Sequence, residues 1–375
     1  MKNKKRIFIL IGIFLILILF SFLPKHIGRY FYWNLADLDD YKKFPSLSIE
    51  KGSRSFTFFN LNNNISFRIP DKYNPTNKYK TFDRFLEKKK TVAFLIIRND
   101  SLIFENYFAG YDEASIIPSF STSKSFVSAL VGIAIDEGYI ESTKQSITFY
   151  LKELERPEFD KITIEDLLNM RSGIKFNEEY YSPFADMAKY YYGTDIESYI
   201  TKLAVEEPPD IHYNYISVNT LLLSLIVERA TNTKLNEYCQ QKLWKPLEME
   251  FDASWSIDSE ENQTIKSFCC INARARDFAK FGRLYLNNGN WNGTQVVPEK
   301  WVKTSRSIIN DSKDSQGYPY TYQWRVLENG CFFAKGVLGQ YIFVNPVKKL
   351  IFVRMGKKYA DVNWADLFLE LSKQL

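Results

Sequence analysis

The sequence predicts an α/β fold of the α+β type: an antiparallel sheet lobe flanked by helices, an all-helical lobe beside it, and an N-terminal membrane helix. Three observations predict it: strand-like text at both ends of the main region, helical text over about residues 140–310 between them, and one long apolar run near the start. Strands far apart in sequence that share a sheet leave the intervening helices to form a second lobe, with a cleft at the junction. The 375 residues are 45% apolar and 25% charged, which excludes a disordered chain.

The elements follow in order. Residues 1–6 form a basic tail with Lys2, Lys4, Lys5 and Arg6, and Ile7 to Leu23 is an apolar run broken only by Gly12 and Ser21, at the short end of what crosses a bilayer. The run ends in Ser21-Phe22-Leu23-Pro24-Lys25, without the small residues of a cleavage site. An uncleaved transmembrane anchor over residues 7–23 is therefore expected, with a cleaved export signal as the alternative. The bases before the run outnumber Lys25 and Arg29 after it, which places the folded domain on the extracytoplasmic side. Residues 24–84 are aromatic and basic with scattered Asn and Pro and read as a spacer and packing arm, ahead of a main domain over residues 85–375.

In that domain Thr91 to Arg98, the turn pair Asn99-Asp100 and Ser101 to Tyr111 read as a hairpin. Ser125 to Gly138 is apolar nearly all round, so it reads as a buried helix. Thr163 to Met170, Asn219 to Ala230 and Ala275 to Asn287 are further helical stretches. Tyr322 to Leu327, Cys331 to Ala334, Gln340 to Val344 and Leu350 to Met355 are parted by turn signals and read as an antiparallel meander. An amphipathic helix from Asp361 to Leu375 closes the chain.

Composition removes several functions. Outside the basic tail 45 bases face 44 acids, so the clustered positive charge that binds nucleic acid is missing. His26 and His212 are the only histidines, and Cys239, Cys269, Cys270 and Cys331 show no C-x-x-C spacing. No metal and no cofactor is expected. The adjacent Cys269 and Cys270 make a poor pair and a large core needs no staple, so no disulfide is expected to be required.

Ser121-Thr122-Ser123-Lys124 matches S-x-x-K, which places an amine one helical turn from a hydroxyl. Ser48 to Lys51 and Ser172 to Lys175 match too, but only Ser121 stands at the start of a buried helix. There the helix N-terminus favours developing negative charge, and a poorly hydrated Lys124 loses basic strength and can accept a proton. On the residues alone, Ser121 as a helix cap beside a solvated Lys124 stays open. Tyr215-Ile216-Ser217 offers a phenol and a hydroxyl on one side of an extended segment, with Tyr213 as a competitor. Ala334-Lys335-Gly336 before Val337 is a candidate oxyanion strand, since Gly336 lets substrate approach closely; a plain turn is the other reading.

These motifs, in this order, resemble the penicillin-recognising serine hydrolases: class C β-lactamases, DD-peptidases, related esterases and the 6-aminohexanoate-dimer hydrolase branch. Phe120 to Ile140, Ile162 to Gly173 and Asn272 to Val297 are similar to that family along their length, and the resemblance covers about residues 85–375. It implies a β-lactamase/transpeptidase-like fold, an acyl-enzyme on Ser121, Lys124 as general base and Tyr215 as proton relay. It further implies that the Val337 and Ser121 N–H groups bind the oxyanion, that Gly336, Ser217 and Lys335 lie at the substrate, and that no cofactor is used.

Two departures shape the substrate. Ser217 stands where many members have Asn, and Ala334-Lys335-Gly336 replaces the Lys/His-Thr/Ser-Gly strand that grips the carboxylate of β-lactams. Lys335 is expected to face away from the first motif position, because neighbouring strand residues alternate sides. Efficient β-lactam hydrolysis is not expected; cleavage of a small-molecule ester or amide is. The alternatives are a DD-peptidase or penicillin-binding protein, and a catalytically silent envelope-binding protein. Tyr180, Tyr181, Phe184, Tyr190, Tyr191 and Tyr192 either line the acyl pocket or pack. Arg276-Asp277 and Glu165-Asp166 read as helix scaffolding, and His212 as a hydrogen-bonded residue at the cleft edge.

Overall fold

The computed structural model describes residues 24–61, 65–309 and 311–375. The anchor expected over Ile7 to Leu23 and its basic tail lie outside them, and among the described residues no helix is long and apolar enough to cross a membrane. In chain order the strands are β1 (Ser46–Ile49), β2 (Phe59–Asn60), β3 (Thr91–Arg98), β4 (Ser101–Tyr107), β5 (Ile117–Pro118), β6 (Ala253–Ser256), β7 (Ile271–Ala273), β8 (Asn290–Trp291), β9 (Thr294–Gln295), β10 (Tyr320–Thr321), β11 (Trp324–Val326), β12 (Phe332–Gly336), β13 (Gln340–Asn345) and β14 (Leu350–Gly356). The α-helices are α1 (Lys25–Trp33), α2 (Phe82–Lys88), α3 (Ser123–Asp136), α4 (Ile164–Leu168), α5 (Asp186–Tyr192), α6 (Ile196–Ile200), α7 (Ser217–Thr231), α8 (Leu235–Cys239), α9 (Ala275–Leu286), α10 (Glu299–Thr304) and α11 (Trp364–Ser372).

The main sheet has the order β10-β11-β12-β13-β14-β3-β4-β2. Its centre is the predicted hairpin and meander. Asn99 and Asp100 take φ of 48° and 61°, the left-handed pair that a two-residue hairpin turn needs. Neighbouring strands run antiparallel except at the edge, where β2 lies parallel to β4. That corrects the expectation of a purely antiparallel sheet: Phe59 and Asn60 arrive from the N-terminal arm, and a two-residue pairing leaves no pattern to read. Both faces are covered. On one, Phe82, Phe85, Trp364 and Phe368 from α2 and α11 pack on Phe94, Phe343 and Phe352. On the other, α9 comes so close that a methyl group at Gly282 would sit 2.8 Å from Ile351 Cγ2.

Helix α3 is buried around its circumference from Ser123 to Ala134, as its all-round apolar text predicts, and the Phe126 and Phe281 rings stack at 3.7 Å to join it to α9. Tyr30, Leu38, Phe44, Ile49 and Phe58 of the N-terminal arm enter the same core. A second sheet, β1-β6-β7-β5, stands beside the first. Two of its strands, β6 and β7, fall within residues 140–310 and correct the expectation of an all-helical lobe; at four and three residues they are too short for periodicity to mark them.

The cysteine expectation is also corrected: Cys269 and Cys270 are joined in a disulfide. Cys270 adopts a left-handed φ of 74°, and its carbonyl and that of Cys269 are held by Ser256 N–H and Trp255 Nε1. Backbone fixed on both sides brings the neighbours together.

Candidate active site

The short 3₁₀ turn Phe120–Thr122 feeds α3, and Phe120 has a φ of 45°, a conformation a bulky residue adopts only when its surroundings impose it. Those surroundings are β7. Ser119 N–H donates to the Ile271 carbonyl at 2.7 Å, and its hydroxyl accepts from Ile271 N–H at 2.9 Å. Ser121 is thereby presented at the start of the helix.

Lys124 is 1% exposed. Its Nζ lies 3.0 Å from Ser121 Oγ, 3.2 Å from Ser217 Oγ and 2.7 Å from the Phe268 carbonyl. Burial lowers its pKa to about 7; the Glu178 charge opposes that shift and Arg325 adds to it. Neither half of the alternative reading holds, since no side chain caps α3 and the amine is out of water.

Ile216 is extended, with φ −133° and ψ 130°, and delivers Ser217 as the first residue of α7. Tyr215 and Ser217 both face Lys124, whose Nζ is 5.1 Å from the Tyr215 ring centroid. Burial pushes the Tyr215 phenol up to about 12, while Arg325 and a hydrogen bond with Ser121 pull it down. Tyr213 and Tyr215 both pack on Tyr320, but it is Tyr215 that hydrogen-bonds with Ser121 and lies beneath Lys124, so the competition falls to Tyr215.

The third segment lies where expected. A methyl group on Gly336 would stand 2.7 Å from the Ser119 carbonyl and 3.1 Å from Ser121 N, so this strand end abuts the Ser121 N–H, and Val337 follows in a turn. Ala334 is in the core. Lys335 is on the opposite face, above the Tyr359 ring and bonded to Gln316; burial and Arg325 lower its pKa to about 8.

Three polar groups here escaped the sequence reading. Glu178 accepts from Ser217 N–H at 2.7 Å, Ser217 Oγ at 2.6 Å and the Tyr180 hydroxyl at 2.7 Å. Arg325 pairs with Asp314 at 2.5 Å and lies 5.6 Å from the Tyr215 ring. The Tyr359 hydroxyl donates to the Gly336 carbonyl at 2.9 Å. The aromatic stretch divides: Tyr180 joins the site through Glu178, Tyr181 and Phe184 are exposed, and Tyr190, Tyr191 and Tyr192 are core. Arg276 forms a paired contact with Glu105, and Asp166 closes a capping box with Thr163, both structural roles. His212 is an exposed partner of Glu207. Among the described residues no group of three or more His, Cys, Asp or Glu is arranged to hold a metal ion.

A hydroxyl, an amine that can be neutral near pH 7 and a phenol gathered around one point form a set capable of acyl transfer. A family model described as Beta-lactamase matches residues 80–362. The 6-aminohexanoate-dimer hydrolase of Paenarthrobacter ureafaciens is 30% identical over 327 residues, covering 80% of this chain and 77% of that protein. Among solved structures, a Bacillus anthracis protein assigned as a 6-aminohexanoate-dimer hydrolase superposes with a TM-score of 0.79 at 22% identity, covering 92% of this chain and 94% of its own. A penicillin binding protein from Bacillus halodurans gives 0.63 at 14%, covering 77% and 98%; at these identities both show the fold alone. Three motifs converging on Ser121, in a fold shared with these proteins and a sequence matched over most of its length, mark a chain that belongs to the beta-lactamase family of serine hydrolases.

Proposed function

We propose that the protein cleaves a small ester or amide through an acyl-enzyme on Ser121. The observation that carries this reading is the Lys124 amine, excluded from water and 3.0 Å from Ser121 Oγ. As Ser121 Oγ attacks the substrate carbonyl carbon, its proton passes to the neutral Lys124 and the developing oxyanion meets the Ser121 and Val337 N–H groups. Collapse breaks the bond to the leaving group. Tyr215, neutral because its pKa lies well above ambient pH, gives that group a proton and regains one from the Lys124 ammonium. Water then repeats the sequence, releasing the acid and restoring Ser121.

The substrate class follows from what the third strand lacks. Ala334 supplies no charge for a carboxylate, which favours the amide and ester branch over β-lactam or peptidoglycan chemistry, and the 6-aminohexanoate-dimer hydrolase likeness supports the same choice. In this reading the apolar run over residues 7–23 holds the domain at the outer face of a membrane. A fluorophosphonate probe tests the chemistry: wild type labels, Ser121→Ala does not, and an unlabelled folded wild type would favour a silent binding protein. Rapid labelling by a fluorescent penicillin with release of D-Ala would move the assignment to a DD-peptidase. p-Nitrophenyl esters of increasing chain length, set against short ω-amino and D-amino amides, identify the acyl and leaving groups.

A further inference from the structure

We infer that Glu178 is a positioning residue that, acting through Ser217, turns the lone pair of Lys124 toward Ser121. The inference rests on the acyl-enzyme reading above and follows from counting donors and acceptors. A neutral lysine amine has two N–H groups and one lone pair, and Lys124 Nζ has three partners within reach: the Phe268 carbonyl, Ser217 Oγ and Ser121 Oγ. The carbonyl only accepts, so one N–H is spent there. A serine hydroxyl can donate or accept, and on its own Ser217 leaves two arrangements open. In one it accepts from Lys124. In the other it donates into the lone pair and blocks the base.

Glu178 removes that ambiguity. Its carboxylate receives the Ser217 backbone N–H at 2.7 Å and the Ser217 hydroxyl at 2.6 Å, and an ionised carboxylate only accepts. The Ser217 proton is therefore committed to Glu178, and Ser217 Oγ has only lone pairs to offer Lys124. The second N–H goes to Ser217, and the remaining tetrahedral direction, the lone pair, points at Ser121 O–H. Three donors converge on the carboxylate, counting the Tyr180 hydroxyl at 2.7 Å, which is the environment of an ionised group. Burial holds its pKa above the usual carboxylate range, and the hydrogen bonds from Ser217 and Tyr180 oppose that shift.

A glutamine in place of Glu178 could not reproduce this pattern. Facing Ser217 with its oxygen on the backbone N–H, the amide would direct its NH₂ at Ser217 Oγ, freeing that proton for Lys124; the opposite flip sets two donors against each other. Glu178→Gln therefore misdirects the base without touching substrate, and the effect disappears where Ser217 has no hydroxyl to turn.

The test is a double-mutant cycle on the full chain, read as p-nitrophenyl ester turnover and as the rate of fluorophosphonate labelling, at a pH high enough that Lys124 is neutral in every variant. Glu178→Gln and Ser217→Ala are each expected to lower kcat by about 10- to 100-fold with KM changed by less than about 3-fold. Adding Glu178→Gln to Ser217→Ala is expected to cost less than about 2-fold more, and Glu178→Asp, which keeps both acceptor oxygens, to recover part of the loss. The charged and titrating groups around Lys124 are Glu178, Arg325 and Tyr215. Because the Glu178 charge raises the Lys124 pKa, the acid limb of Glu178→Gln moves to lower pH; a merely structural loss lowers the plateau and leaves the limb in place. Wild-type kcat in Glu178→Gln, an unmoved limb, or an undiminished penalty in the Ser217→Ala background overturns the inference. Failure of wild type to label overturns the acyl-enzyme reading itself. Melting curves for each variant separate misorientation from unfolding.

Discussion

The Lys124 amine donates to the Phe268 carbonyl at 2.7 Å, which ties this lysine to the segment carrying the Cys269–Cys270 disulfide. The same segment holds the turn around Ser121 at two more points: the Ser267 carbonyl accepts from Ser123 Oγ at 2.9 Å, and Ile271 exchanges hydrogen bonds with Ser119. Opening the disulfide with a dithiol, or replacing both cysteines by serine, removes one constraint on the backbone next to that carbonyl and leaves those from Trp255 and Ser256. The expected result is a fall in kcat of about 10-fold with little change in KM, since displacements well under 1 Å at a base already matter. Full turnover in a Cys269→Ser/Cys270→Ser protein would rule this out.

Activity should depend on pH through Lys124. Its pKa is lowered to about 7, so kcat/KM rises as the pH climbs through that value and the amine loses its proton. Burial is the main cause, and the Arg325 charge adds to it. Neutralising Arg325 together with its partner, as Arg325→Gln/Asp314→Asn, removes a like charge without stranding the buried carboxylate. The limb should then move upward, by about one unit or less. A downward shift measured in the pH–rate profile contradicts the assignment of Lys124 as the titrating group.

What the sequence made legible was local or periodic. Asn99-Asp100 between two β-branched runs fixes a hairpin because those residues tolerate the left-handed conformations seen there. S-x-x-K places Lys124 over Ser121 because one helical turn must, and Tyr215 and Ser217 share a side because the backbone between them is extended. Glu178 had no such signal. It lies in an aperiodic loop and reaches the site only because that loop folds over the N-terminus of α7, a contact across 39 positions. Arg325 faces Tyr215 across a register that no single strand's text contains. The cysteine pair was misread because neighbouring residues join only in a backbone conformation imposed from outside, here by Trp255 and Ser256.

Gly336 should tolerate no side chain. A Cβ there meets the Ser119 carbonyl at 2.7 Å and Ser121 N at 3.1 Å, backbone atoms that have little room to yield. Gly336→Ala is expected to shield or displace the Ser121 N–H and lower kcat by about 10²- to 10³-fold, the usual cost of one oxyanion donor. Overpacking destabilises the fold by only ~1–3 kcal/mol. A Gly336→Ala protein that labels with fluorophosphonate as fast as wild type would place the oxyanion site elsewhere.

A second buried lysine makes a prediction about stability alone. Lys266 is 0% exposed; its Nζ donates to the Tyr191 carbonyl at 2.5 Å and lies 3.4 Å from the Phe44 ring centroid. Burial lowers its pKa well below 10.5, with Arg29 adding to the shift and Asp258 and Asp40 opposing it. The folded state therefore binds fewer protons than the unfolded chain between the lowered pKa and 10.5, and in that window the Lys266 contribution makes wild-type stability rise with pH, by at most ~1.4 kcal/mol per unit. Methionine fills similar space without titrating. The stability of Lys266→Met minus that of wild type, from denaturant melts at a series of pH values, should thus be most positive near neutrality and shrink as the pH approaches 10.5. Because every other titrating group is common to both proteins, a difference that stays flat across this range would mean that Lys266 keeps an ordinary pKa in the fold.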